Sequence, residues 1–271
     1  MSESFLAASG LAHIVGEKAG AGPPVVFLHA GVADLRMWQA QMDALPGYTT
    51  IAYDRRGFGE TLHADEPYAH VDDLRAVLDA VAPHEPAILV GCSQGGRIAI
   101  DAALAIPPQV RALVLVAPAI TGAPEVEDVP PAVQAWIERM EGAEAEADID
   151  RINALEAHAW LDGPLEREGR VQGAARELFL DMNELALRSE KRGEEIEPPA
   201  AYSRLSEIVV PALVMWGDLD FPHIAMRCEH IVQHMPNAQA LRLTGAAHLP
   251  NLEDPAGFNR ALAGFIRPLG R

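Results

Sequence analysis

The sequence predicts an α/β fold: a mostly parallel central sheet with helices on both faces, interrupted by an inserted helical segment. Three observations carry this. Short β-branched apolar runs alternate with windows of helical periodicity. A G-x-S-x-G pentapeptide joins one such run to one such window. A single stretch without strand-like runs holds most of the excess negative charge. Continuous apolar runs are buried on both faces, as a helix-covered parallel sheet requires.

The runs are 25–29 (VVFLH), 50–54 (TIAYD), 87–92 (AILVGC), 112–117 (ALVLVA) and 212–217 (ALVMWG), each bounded by Pro, Gly or a charged residue. Between and after them, apolar residues recur at helical spacing over 35–45, 71–81, 95–106, 222–235 and 255–266. Strands alternating with helices of this length build βαβ units and a doubly wound sheet. No internal repeat is present.

The 271 residues carry 21 Lys+Arg against 39 Asp+Glu, a net charge of −18, and 49% of them are hydrophobic. That composition suits a globular chain, of a length near the limit for one core. The charge argues against nucleic acid and anionic membranes as partners, since both require a basic surface. No apolar run is long enough to span a bilayer. Residues 1–20 lack a basic stretch followed by an apolar run, so a secretory signal is not expected. The only cysteines, Cys92 and Cys228, are far apart and outside any metal-binding spacing. A cytoplasmic protein is therefore expected, with a small-molecule substrate and, at most, further copies of itself as partners.

The charge is uneven. Residues 121–203 hold 20 acidic and 8 basic residues, a net of −12; the other 188 hold 19 and 13, a net of −6. Pro118, Pro124, Pro130 and Pro131 mark the beginning of the acidic stretch, and Pro198 and Pro199 its end. Within it, 132–140, 149–160 and 171–187 read as amphipathic helices with acidic outer faces. The expected organisation is a core of 1–120 and 204–271 with 121–203 inserted.

Gly91-Cys92-Ser93-Gln94-Gly95 follows the strand AILV and precedes the helix GGRIAIDAAL. A residue in a tight strand-to-helix turn projects above the sheet, and the helix beginning there offers its N–H groups to negative charge. Ser93 is thus the candidate nucleophile. A serine hydroxyl needs a base oriented by a third group. Downstream, Gly217-Asp218-Leu219-Asp220 follows a strand, and Gly245-Ala246-Ala247-His248 follows the segment 240–244.

With His29-Ala30-Gly31 after the first core strand, Asp54-Arg55-Arg56-Gly57-Phe58-Gly59 after the next, GCSQGG, GDLD and GAAH in order, the sequence resembles the α/β-hydrolase superfamily over nearly its whole length. The resemblance implies a Ser93, Asp220, His248 triad, with Asp218 as a turn residue. It also implies an oxyanion hole of the Gly31 and Gln94 backbone N–H groups, and a cap over the mouth made by 121–203. Ala30 replaces the family's usual glycine. Gly31 stands where many relatives carry a bulky residue, which implies a more open acyl side.

Candidate pocket residues are His29, Trp38, Trp136, Trp160, Phe179 and His223, although His29 also reads as a loop-shaping hydrogen-bonder and Trp38 as core. His63, His70, His84, His158, His230 and His234 read as surface residues, as does His223 in its simpler reading. No nucleotide, phosphate or zinc motif is present, so neither cofactor nor metal is expected. The expected activity is hydrolysis of a small, neutral or weakly polar carboxylic ester. The same groups also serve lactone hydrolysis, C–C bond hydrolysis and cofactor-free perhydrolysis, and a non-catalytic ligand-binding receptor is the alternative from another class.

Overall fold

Apolar side chains alternating between two faces give one eight-stranded sheet in a computed structural model, which describes residues 2–83, 85–126, 129–190 and 192–270. His84 lies outside the described residues. The strands are β1 (Glu3–Ser9), β2 (Ala12–Gly20), β3 (Pro24–Leu28), β4 (Thr49–Tyr53), β5 (Ala87–Cys92), β6 (Val110–Val116), β7 (Ala212–Gly217) and β8 (Ala238–Leu243). They lie in the order β1-β2-β4-β3-β5-β6-β7-β8. All neighbours from β4 to β8 are parallel, while β1 pairs with β2 and β2 with β4 antiparallel.

The helices are α1 (Gln39–Asp43), α2 (His70–Val81), α3 (Gln94–Ala105), α4 (Pro131–Ala145), α5 (Ile149–Ala157), α6 (Ala174–Arg188), α7 (Pro222–His234), α8 (Pro250–Glu253) and α9 (Pro255–Ile266). One cluster of buried residues joins Val26, Ile51, Leu89, Leu113 and Val214 to Leu74, Ile98 and Ile224 of α2, α3 and α7. The other joins Val25, Phe27, Ile88, Val90 and Val114 to Trp38 and to Phe258 of α9. Successive strand residues thus serve opposite faces, the period-two rule of a pleated sheet.

The five expected strands form within a residue or two of their expected bounds, and 240–244 overlaps β8. The hairpin β1–β2 was not among the expected elements. It turns at Gly10, whose φ of 58° suits glycine, and β2 alternates in burial as a strand covered on one face does. The expected helix 35–45 divides into a 3-10 turn, Leu35–Trp38, and α1, with Asp34 capping the turn by accepting from the Arg36 N–H. The expected helix 149–160 ends at Ala157 and continues as a π-helical turn, His158–Asp162. The expected helix 171–187 begins at Ala174, because Gly173 takes a φ of 68° outside the helical region. Residues 121–203 supply α4, α5 and α6 and, among the described residues, no strand of the sheet.

Candidate active site

The parallel strands deliver the candidate residues to one edge, because βα turns share the C-terminal end of the sheet. His29 to Gly31 follow β3, Asp54 and Arg55 follow β4, Ser93 follows β5, Asp220 follows β7 and His248 follows β8.

Ser93 has φ 53° and ψ −114°, a backbone that side-chain-bearing residues rarely adopt. Close approach on both sides holds the turn. A Cβ on Gly95 would overlap the Leu28 carbonyl, and one on Gly91 would overlap the Gly95 backbone. The Ser93 N–H donates to Val116 O (2.9 Å), and its carbonyl accepts from Ala119 N (3.0 Å) and Arg97 N (3.0 Å). The following helix, α3, points its positive end at this position.

His248 Nδ1 lies 2.6 Å from Asp220 Oδ2, both side chains buried. Asp220 Oδ1 accepts from the Phe221 N–H at 2.7 Å. A carboxylate accepting from Nδ1–H leaves Nε2 as the ring's acceptor, the tautomer a base needs. Cys92 Sγ, one residue before Ser93, donates to the His248 carbonyl at 3.7 Å, so the serine turn and the histidine loop abut. Burial pushes the Cys92 thiol up, away from thiolate character. Asp218 faces elsewhere: its Oδ1 accepts from the Gly245 N–H (2.7 Å) and braces the turn after β8.

His29 is wholly buried. Its Nδ1 donates to the Ala30 carbonyl (2.7 Å) and its Nε2 accepts from the Arg55 N–H (3.0 Å), both contacts suited to the neutral ring. Burial, then the Arg55 charge, holds its pKa well below the usual histidine value. It shapes the loop. Asp54 ties the same region together, accepting from Leu35 N and Glu60 N, both at 2.8 Å.

The expected open acyl side at Gly31 is corrected by Gln94. A Cβ on Gly31 would come within 2.9 Å of the Gln94 side-chain amide, so that side chain already occupies the space a bulky residue would take. Arg55 holds it there, donating from Nη1 to Gln94 Oε1 at 2.8 Å.

The expected pocket residues divide. Trp38 is buried between Phe27 (ring centroids 5.2 Å) and Phe258 (6.1 Å), and Phe179 is buried in the same cluster. Both belong to the packing beneath α6 and α9 rather than to a cavity. Trp136, Trp160 and His223 do meet, with Val133, Ile137, Phe221 and Met226, around an apolar cavity of about 240 Å³. Phe221 centres it, 4.8 Å from the Trp160 ring and 5.7 Å from Trp136. Trp160 also lies 4.6 Å from the His248 ring, so one side chain borders both the cavity and the histidine. It sits on the π-helical turn, a distortion frequent at functional sites. Burial, then Arg227, lowers the pKa of His223 to about 4, leaving it neutral.

Two of the remaining histidines, His70 and His158, are buried rather than on the surface: His70 pairs with Glu195 at 3.5 Å, and His158 Nε2 contacts Glu166 O at 2.9 Å. Phe221, Arg55, Arg170 and Glu253 were missed in the sequence, and only Arg55, doubled with Arg56 at a strand end, carried any signal there.

A serine on a strained strand-to-helix turn that abuts the loop of an Asp-fixed histidine, on a sheet of this order, agrees with what a family comparison finds. The model of the alpha/beta hydrolase family matches residues 25–261. The chain belongs to that family. A candidate 2-succinyl-6-hydroxy-2,4-cyclohexadiene-1-carboxylate synthase of Bacillus subtilis (strain 168) is 27% identical, covering 93% of each chain. A pimeloyl-[acyl-carrier protein] methyl ester esterase of Aeromonas hydrophila is 26% identical over 92% of this chain and 98% of its own. The esterase RhEst1 from Rhodococcus sp. ECU1013 superposes with a TM-score of 0.76, at 27% identity, over 99% of both chains. This α/β hydrolase therefore has relatives named for ester cleavage and one named for a synthase. Among the described residues, no helix is long and apolar enough to cross a membrane.

Proposed function

We propose that this α/β hydrolase is a serine esterase acting on a small carboxylic ester through an acyl-enzyme. The 2.6 Å contact of His248 Nδ1 with Asp220 Oδ2, on a loop abutting the Ser93 turn, carries the reading. Ser93 Oγ attacks the carbonyl while His248 Nε2 takes its proton. Asp220 fixes the tautomer and stabilises the imidazolium. The Gly31 and Gln94 N–H groups receive the oxyanion. The alcohol leaves with the proton from His248, and a water activated by the same nitrogen releases the acid and frees Ser93. Residues 121–203 act as the cap, and α4 lines the apolar cavity. An apolar cavity of ~150 Å³ accepts benzene, so the 240 Å³ here suits an aryl or branched alkyl group of a neutral ester.

A fluorophosphonate probe tests the chemistry: Ser93 is labelled in the wild type, and labelling is lost in Ser93→Ala. Short p-nitrophenyl esters, a lactone and a vinylogous diketone then test the bond cleaved. Turnover of the esters supports this reading. Turnover of the lactone or the diketone alone transfers the same residues to lactone or C–C hydrolysis. An unlabelled Ser93 in folded protein that turns over none of these substrates overturns the enzyme reading in favour of a ligand-binding receptor.

A further inference from the structure

The side chain that most needs an explanation is Arg55. It is only 1% exposed. A buried guanidinium is costly unless a carboxylate pairs with it. Its neighbour Arg56 follows that rule, bound to Asp73 (2.9 Å) and Glu66 (2.7 Å). Among the described residues no carboxylate forms an ion pair with Arg55. The carboxylate whose charge acts on it, Glu195, is engaged by Arg97 at 2.5 Å and His70 at 3.5 Å. What Arg55 touches instead is neutral: Gln94 Oε1 (2.8 Å), the Ala30 carbonyl (3.0 Å) and the face of Phe58 (4.4 Å to the centroid). Its Nε has no partner. Burial lowers its pKa to about 10, which still leaves it charged at neutral pH.

Both hydrogen-bonded neighbours belong to the two loops expected to supply the oxyanion donors. The Ala30 carbonyl accepts from His29 Nδ1 (2.7 Å), Arg55 Nη2 (3.0 Å) and Ala33 N (3.3 Å). In a planar trans peptide the next N–H points opposite to the carbonyl. Pinning Ala30 O toward Arg55 therefore aims the Gly31 N–H away from it. The other Arg55 nitrogen fixes Gln94 against Gly31, where only a glycine leaves room. Arg55, Gly31 and Gln94 fit as a set: a side chain on Gly31 would displace the Gln94 amide from Arg55.

We propose that Arg55 is the positioning residue of the oxyanion hole, setting the Gly31 N–H through the Ala30 carbonyl, holding Gln94 over it, and placing an unpaired buried positive charge behind the developing oxyanion. The proposal rests on the serine-esterase reading. Its chemical logic is that the missing counter-charge forms only during turnover, when the carbonyl oxygen becomes anionic. Hydrogen bonds to a preorganised dipole with a cation behind it are worth more in a dry site than in water.

The test compares wild type, Arg55→Met and Arg55→Lys on p-nitrophenyl acetate, together with inhibition by phenylboronic acid, which becomes an anionic tetrahedral adduct on the serine. Arg55→Met keeps the volume and removes the charge and both hydrogen bonds. Its kcat is expected to fall on the order of a hundredfold, as for loss of one oxyanion donor, with KM little changed. Phenylboronic acid affinity should weaken by a similar factor. Arg55→Lys keeps the charge without the two-pronged contact and should recover part of both losses. A merely structural role would lower the melting temperature without separating kcat from KM or weakening the boronate selectively. Should Arg55→Met fail to fold, Gly31→Ala takes its place: displacing Gln94 should reproduce the kcat loss. Arg55→Met or, in its place, Gly31→Ala with wild-type kcat and boronate affinity overturns the proposal. A wild type that neither turns over ester nor labels at Ser93 overturns the esterase reading itself, so the two failures are distinguishable.

Discussion

At the scale of single residues, the two aspartates after β7 offer a clean contrast, since both end a strand in the motif GDLD. Asp220 holds His248 Nδ1 at 2.6 Å, whereas Asp218 accepts a backbone N–H from Gly245. An amide at 220 can present its NH₂ to Nδ1 and stabilise the wrong tautomer. Asp220→Asn is therefore expected to lower kcat by about ten-thousandfold. Asp218→Asn should leave it within a few-fold, as steady-state kinetics on a short ester will show. Ser93 itself makes a second prediction. Its φ of 53° with ψ −114° stores strain of about 1–3 kcal/mol in a residue with a side chain. Ser93→Gly relieves it and loses part of the gain to the greater entropy of the unfolded chain. Both Ser93→Gly and Ser93→Ala should be inactive, but the glycine variant should be the more stable by about 1 kcal/mol in urea denaturation.

At the scale of elements, the loop between the π-helical turn and α6 is fastened to the histidine loop by one side chain. Arg170 donates to the carbonyls of Leu161 (2.9 Å), Asp162 (2.6 Å) and Gly245 (3.1 Å) and forms an ion pair with Glu253. Glu253 in turn accepts from the Ala247 N–H at 2.8 Å, one residue before His248. Removing the arginine leaves a carboxylate that is 6% exposed without its cation. Arg170→Ala is expected to cost about 3 kcal/mol and to lower kcat as His248 loosens. The double variant Arg170→Met, Glu253→Gln should recover only the part due to the unpaired carboxylate, because the three carbonyl contacts of Arg170 stay lost. A denaturation series on the single and double variants measures both effects.

None of this fastening was legible in the sequence. Periodicity locates strands buried on both faces, and it found β3 to β7 because their apolar runs are continuous. It passed over β1 and β2, whose one covered face gives only a weak alternation. It also ran α5 three residues too far, since hydrophobic spacing does not register where a helix widens into a π turn. Motif order along the chain did put Asp220 and His248 together at the strand ends. Contacts between side chains distant in sequence, such as Arg55 with Gln94 or Arg170 with Glu253, leave no periodic trace.

At the scale of the whole molecule, the question is how buried titratable groups shape stability against pH. His29, His70 and His223 are all held neutral by burial, with His223 near 4. The unfolded chain protonates such rings near 6.5. Between pH 6.5 and about 4 the unfolded state therefore binds more protons at His223, and stability from this group is full above 6.5 and lost as pH falls toward 4. Asp54 and Asp101 work in the opposite sense. Burial raises them to about 7 and about 6, so over part of the same window the folded state holds the extra proton and gains as pH falls. The wild-type profile sums both senses, and a difference profile isolates one. In His223→Gln the ring no longer titrates, so the variant should gain on the wild type as pH is lowered from 6.5 to 4 and keep a constant offset above pH 7. Because the ring is only partly buried, the relative gain is about 1 kcal/mol once solvent screening is allowed for. Thermal denaturation of both proteins at half-unit pH steps measures it, and a constant difference down to pH 4 would show that His223 keeps its ordinary proton affinity beside Phe221.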